Sequence, residues 1–156
     1  MNSIYKLILS IAVPLAVGGI SGFFTASSVN TWFKTLIKPS FNPPSWLFAP
    51  VWTILYILMG VSFYIVWNSH AKLEKRTTGY TYYWLQLMLN FAWSFLFFFY
   101  RRSDLALIDI IVLFMMIAST IFSFRKVSKI AAWLLVPYLC WVAFATALNF
   151  EIWRLN

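Results

Sequence analysis

Five apolar runs of about 20 residues, parted by short charged connectors, limit this chain more than any other feature. They cover residues 5–27, 45–67, 81–100, 105–124 and 130–153. An α-helix rises about 1.5 Å per residue, so roughly 20 apolar residues cross the hydrocarbon of a bilayer. Inside lipid every backbone N–H and C=O must be paired within the protein, so runs of this length become helices. The expected fold class is an all-α membrane protein. A single five-transmembrane-helix bundle takes in residues 1–156 as one domain. Composition agrees, with 62% hydrophobic and 10% charged residues against about 45–50% and about 25% in soluble domains. The first run is longer than the apolar core of a cleaved leader and lacks a small-residue cleavage site, so it is expected to be retained.

The net charge of +8 raises the question of nucleic acid. The cations fall singly or in small groups between the apolar runs. That scatter marks connectors at membrane surfaces, and no nucleic-acid partner is expected. Five spans put the termini on opposite faces. The N-terminal face then carries Lys6, Lys72, Lys75, Arg76, Arg125, Lys126 and Lys129, and the other face Lys34, Lys38, Arg101, Arg102 and Arg154. The excess places the N-terminus inside. The single cysteine, Cys140, lies in an apolar run, which leaves no intrachain disulfide and no CxxC pair. No zinc spacing, nucleophile triad or nucleotide loop is present, and no metal or required cofactor is expected.

Nine tryptophans are a large number for 156 residues. Trp46, Trp67, Trp84, Trp133 and Trp153 near helix ends, and Trp32 in the first connection, suit an interfacial aromatic belt. Trp52, Trp93 and Trp141 lie inside their runs. A buried indole N–H needs a partner, so such positions are either packed or functional. Trp52 is about seven residues into the second run and Trp93 about seven from the end of the third. The chain reverses between them, so both sit about 10 Å deep in the same half of the membrane. Trp141 lies nearer the midplane. At helical spacing these bring along Tyr56, Asn90, Phe97, Ala145 and Leu148. Together the eight are the candidate ligand-binding residues, with Asn90 open to a second role as interhelical hydrogen-bond glue. Asp109 is on the same side; an acid inside a span is a functional candidate, and this one is also close enough to the surface to be hydrated or paired with Arg101 or Arg102.

The connection over this half reads KPSFNPPSWLFAPVW from Lys38 to Trp52. Pro39, Pro43 and Pro44 have fixed φ and no amide donor, so they stiffen a lid formed with Trp32 and Lys38. Pro44 suits the entry to the second helix. Pro50 is expected to kink that helix near its start, and Pro137 to bend the fifth around Trp141. In the first helix Ser10, Pro14, Gly18, Gly22 and Ala26 recur every four residues. This stripe of small residues must meet another helix, in the bundle or in a partner chain.

Three stretches carry a resemblance: KPSFNPPSWLFAPVWTILYILMG, WLQLMLNFAWSFLFF and PYLCWVAFATALNFEIW. With the pattern W-x5-K-P-x-F-x-P-P-x-W-x-F-x-P-V-W, the chain resembles the TspO/translocator protein family over nearly its whole length. These are the tryptophan-rich sensory proteins and relatives of the peripheral benzodiazepine receptor. The resemblance implies a five-helix fold, frequent homodimers, and a pocket beneath the first connection for protoporphyrin or related tetrapyrroles. It matches the family's pocket tryptophans to Trp52 and Trp141, its third-helix asparagine to Asn90 and its small fifth-helix residue to Ala145. Some members promote light-dependent porphyrin breakdown attributed to those tryptophans, which would give Trp52 and Trp141 a catalytic role here. Phe150 replaces the tyrosine ahead of Arg154 in the animal sterol motif, so sterol binding is not implied. The loose sterol pattern is met instead by Leu96, Tyr100 and Arg102, and such patterns discriminate poorly.

A porphyrin is a flat apolar ring with two carboxylates on one edge. Indole faces can stack on the ring, and Lys34, Lys38, Arg101 and Arg102 lie where they could meet the acids. His70, the only histidine, is on the opposite face and cannot ligate a haem iron there. The expected function is a sensor or carrier of metal-free porphyrin in the plasma membrane of a bacterium. A light-dependent porphyrin-degrading protein and a small-molecule transporter are the alternatives. The spans offer few ionisable groups and no paired repeats to drive transport.

Overall fold

The computed structural model describes residues 1–156 and is helical throughout, with no strand. Helix α1 spans Ser3–Asn30 and α2 Trp32–Thr35. A 3-10 turn at Ser45–Leu47 leads into α3, Phe48–Trp67. Helix α4 spans Leu73–Ser94 and continues as a π-helical turn over Phe95–Phe99. Helix α5 is Ser103–Arg125, α6 Lys129–Leu134 and α7 Val136–Leu155.

Four stretches are long and apolar enough to cross a membrane: Ser3–Asn30, Ser45–Trp67, Ser103–Arg125 and Lys129–Leu155. The expected third span falls in α4 and its π-helical end. That helix starts about two turns before residue 81, with Glu74, Lys75, Arg76, Thr77 and Thr78 in its opening turns. Its length comes from helix that extends beyond the apolar run.

The helix ends follow local chemistry. Asn2 caps α1 by accepting from the Ile4 amide at 3.0 Å, and Ser128 caps α6 through the Ala131 amide at 3.2 Å. Arg101 ends the π-helical turn with φ of 56°, the only positive φ in the chain, and the next amide, of Arg102, turns back to Leu96 O at 2.8 Å. Arg102 then forms an exposed fork on Asp104 at 3.0 and 2.8 Å. That hydrogen bond raises the Arg102 pKa above its usual value. Asp104 therefore takes the guanidinium that Asp109 could have used. Asp109 is only 8% exposed, and its Oδ2 is buried without a partner.

Two prolines stand next to changes in helix geometry. Pro50 is the third residue of α3 and lies in its first turn, directly after the 3-10 turn at Ser45–Leu47. The change from 3-10 to α winding falls just before it. Pro137 stands at the start of α7 because the last span is broken at Leu135 into α6 and α7. The break comes before the proline, in the turn its ring would otherwise strike.

Helix α1 packs on α3, α4 on α5, and α5 on α7. A core around Met59, Tyr83, Phe124 and Tyr138 fills the middle. A smaller core of Phe33, Phe97, Ala106, Leu148 and Ile152 closes the end under the first connection. Helices α1 and α3 meet most closely near Gly60. A Cβ there would lie 2.5 Å from Ser10 O and 2.6 Å from Ile11 Cα. Pro14, four residues after Ser10, has no amide to give that carbonyl. Two turns along α1, a Cβ on Gly18 would meet the Tyr56 ring at 2.3 Å, and at Gly22 it would meet nothing within 4 Å. The two helices therefore splay apart toward the first connection.

Candidate functional site

The splay opens a cavity of about 370 Å³ in the half of the bundle beneath the first connection. That volume falls within the roughly 300–1,000 Å³ usual for small-molecule sites. Helix α3 contributes Phe48, Trp52 and Tyr56, and the end of α4 contributes Trp93, Phe97 and Phe98. Helix α7 contributes Trp141, Ala145 and Leu148, and α2 contributes Phe33. Small residues of α1, Gly18, Gly22 and Ala26, form the remaining wall.

Flat rings dominate this lining. Trp52 stacks on Tyr56 at 5.6 Å, and Trp93 on Phe97 at 5.2 Å. Both pairs are four residues apart, so the helix itself sets the stacking. Trp141 stands perpendicular to Trp52 at 6.5 Å and edge-on to Phe48 at 6.1 Å. Of the eight residues expected from sequence to bind a ligand, seven line this one cavity.

Asn90 does not reach it. The residue is 3% exposed and lies behind Tyr56. Tyr56 OH donates to Asn90 Oδ1 at 2.8 Å, Asn90 Nδ2 to Tyr138 OH at 2.8 Å, and Tyr138 OH to Gln86 Oε1 at 2.7 Å. This chain of donors ties α3, α4 and α7 together below the cavity floor. Asn90 fills the glue role and fixes the ring that the cavity sees. Trp93 is fixed the same way: its Nε1 donates to Asn149 Oδ1 at 3.0 Å, and Asn149 Nδ2 to Ser103 O at 2.9 Å.

The indole of Trp141 is different, because its Nε1 is buried with no acceptor in the chain. Buried donors are almost always paired. A donor left open in an aromatic cavity wall is available to whatever occupies the space. The other polar groups of the wall are largely used locally, as with Ser21 to Gly18 O and Thr25 to Ser21 O. No acid or base lines the cavity, so the arrangement supports binding and stacking without proton transfer.

The expected lid residues sit above the cavity and outside its lining. Trp32 packs edge-on to Phe97 at 5.8 Å. Lys38 Nζ lies 4.7 Å from the Phe33 ring centroid and bonds Leu36 O at 3.2 Å. Pro39 closes a turn with the Asn42 amide at 3.1 Å, followed by Pro43 and Pro44. The C-terminal residue holds this segment down. Asn156 accepts from the Ile37 amide at 3.1 Å and donates to Ile37 O at 2.9 Å. Phe33, Phe48 and Gly18 were missed by sequence reasoning. The available signal was Gly18 in the small-residue stripe, which was read only as a packing surface.

Taken together, the apolar helices and the walled cavity define a helical membrane protein with an aromatic pocket in one half of its bundle. The chain belongs to the TspO/MBR family, whose model matches residues 10–154. It is 46% identical to the tryptophan-rich protein TspO of Chlorobaculum tepidum over 155 residues, covering 99% of this chain and 98% of that one. It is likewise 46% identical to the tryptophan-rich protein TspO of Archaeoglobus fulgidus, covering 99% of each. With the human translocator protein it shares 42% identity over 126 residues, covering 80% of this chain and 75% of that one.

Proposed function

We propose that this protein crosses the bacterial plasma membrane five times and binds a protoporphyrin-type tetrapyrrole in the aromatic cavity, as a sensor or carrier. The fifth crossing is α4 with its π-helical end, antiparallel to α5. The carrying observation is the set of three indoles, Trp52, Trp93 and Trp141, on the walls of one 370 Å³ space. Flat apolar rings stack on such surfaces. Trp141 Nε1 supplies one directional contact, and the exposed Arg101, which makes no ion pair, lies at the same end of the bundle for the carboxylates. Titration with protoporphyrin, followed by tryptophan fluorescence quenching, tests this. Trp52→Phe with Trp141→Phe should weaken binding while helix content by circular dichroism stays unchanged. Unchanged affinity in that double variant would count decisively against the site.

A light-dependent degrading role is the second reading, favoured by the close Trp52–Trp141 pair. An indole beside an excited ring can accept oxidation. Equal photodegradation by the wild type and the double variant, at equal occupancy, would remove both tryptophans from that chemistry.

A further inference from the structure

On the face opposite the aromatic cavity, a second pocket of about 340 Å³ is lined by six residues, none of them apolar: Lys72, Glu74, Lys75, Thr78, Ser123 and Lys126. We propose that it is a binding site for a phosphate group, supplied by the headgroup of an anionic phospholipid. This assignment does not depend on the tetrapyrrole reading.

Three observations carry it. First, the lysines have no counter-ion of their own. The ion pairs of this chain are Arg102–Asp104 and Arg154–Glu151, both elsewhere. Glu74 offsets one of three positive charges in the pocket and leaves an excess. Second, the pocket lies at the start of α4, a 22-residue helix whose N-cap, Lys72, makes no side-chain capping bond. The Lys75 and Arg76 amides bond back to Lys72 O, while the earlier amides of that turn have no carbonyl before them to meet. Open amides at the positive end of a helix are ready donors for phosphate oxygens.

The third observation is Ser123. It is only 8% exposed and lines this pocket. Its neighbours Ser119 and Thr120 bond back to Met115 and Met116 carbonyls, whereas the Ser123 hydroxyl makes no hydrogen bond in the chain. Gly79 brings α4 close to α5 at this point, since a Cβ there would lie 3.5 Å from Ser123 Cβ and 2.8 Å from the Phe124 ring. The free hydroxyl of an otherwise buried serine therefore opens into a space lined by three lysines without ion pairs, beside the N-terminus of α4. The depth also suits a lipid. This is a connector face at the end of apolar helices, where headgroup phosphates lie and where basic pockets between helices hold anionic lipid.

Native mass spectrometry and thermal melting of the whole protein in mild detergent test this, with phosphatidylglycerol, phosphatidylcholine or inorganic phosphate added. Phosphatidylglycerol should bind and raise the melting temperature, and phosphatidylcholine should not. Each of Lys72→Gln, Lys75→Gln and Lys126→Gln should weaken lipid binding about five-fold, and the triple variant about a hundred-fold. Ser123→Ala should cost about ten-fold, the scale of one hydrogen bond to a charged group. Lys34→Gln with Lys38→Gln, on the other face, should keep full binding. An equal effect from inorganic phosphate alone keeps the site and assigns it to the free anion. Equal losses in the Lys34/Lys38 control, or equal binding of phosphatidylcholine, would overturn the proposal.

Discussion

Replacing glycine by alanine at three positions should give three different results, although the chemical change is the same. At Gly60 the new Cβ would sit 2.5 Å from Ser10 O and 2.6 Å from Ile11 Cα. Both are backbone atoms of α1 and cannot rotate away, so the helices must separate. Overpacking costs about 1–3 kcal/mol, and contact with backbone puts Gly60→Ala near the upper end. Better helix propensity returns up to about 1 kcal/mol, for a net loss of about 2 kcal/mol. At Gly18 the obstacle is the Tyr56 ring. That ring can tilt, but its hydroxyl is tethered to Asn90. The net loss should be smaller, on the order of 1 kcal/mol, and should weaken that hydrogen bond. At Gly22 nothing lies within 4 Å, so the propensity gain stands alone and stability should rise by up to about 1 kcal/mol. Equilibrium unfolding in mixed micelles, read by circular dichroism, separates the three. If Gly60→Ala is within about 0.5 kcal/mol of wild type, the scale of an ordinary surface change, or if Gly22→Ala is as damaging as Gly60→Ala, the account of the splay is wrong.

Other outcomes follow from the same geometry. Tyr56→Phe leaves Asn90 Oδ1 without its donor and should cost about 0.6–1.7 kcal/mol, the scale of hydrogen bonds between helices in lipid; the same unfolding measurement reads it. Gly18→Leu should lose folding and ligand binding together, since the Tyr56 ring fills that space, while Gly22→Leu should fold. Loss of a cross-linked dimer in nanodiscs with ligand binding retained would instead place the small-residue stripe between chains. Asn156→Ala removes both bonds to Ile37 and should speed amide hydrogen exchange at Ile37 without changing the melting temperature of the bundle.

The long apolar helices were legible because lipid enforces the pattern along whole runs. The start of α4 was not. Leu73–Tyr80 carries charges and threonines and reads as a connector, yet it is helical, because hydropathy marks where lipid begins and not where a helix begins. The break at Leu135 was signalled by Pro137 and misplaced by two residues, since proline disturbs the turn before it. Tryptophan depth and helical spacing brought together the faces that line one cavity. Asn90 was ambiguous because an asparagine inside a span has the same sequence signature whether it bonds a ligand or two tyrosines. Phe33 was invisible. It comes from a four-residue helix in the connection, where no periodicity tells which side chain turns inward.

The uneven hold of α3 on α1 also divides α1 along its length. Its N-terminal half is pressed backbone to backbone on α3 at Ser10 and Ile11, whereas its far half faces the cavity at Gly22 and packs on the π-helical end of α4 through side chains, with the Phe24 and Phe95 ring centroids 6.0 Å apart. Side-chain contacts yield more readily than a backbone-to-backbone seam. Amide exchange in α1 should therefore form a gradient, slow around Ser10–Gly18 and faster through Gly22–Asn30, with the cavity wall on the compliant part. The breadth of the space between α1 and α3 is then a property of temperature and bilayer tension as well as of sequence.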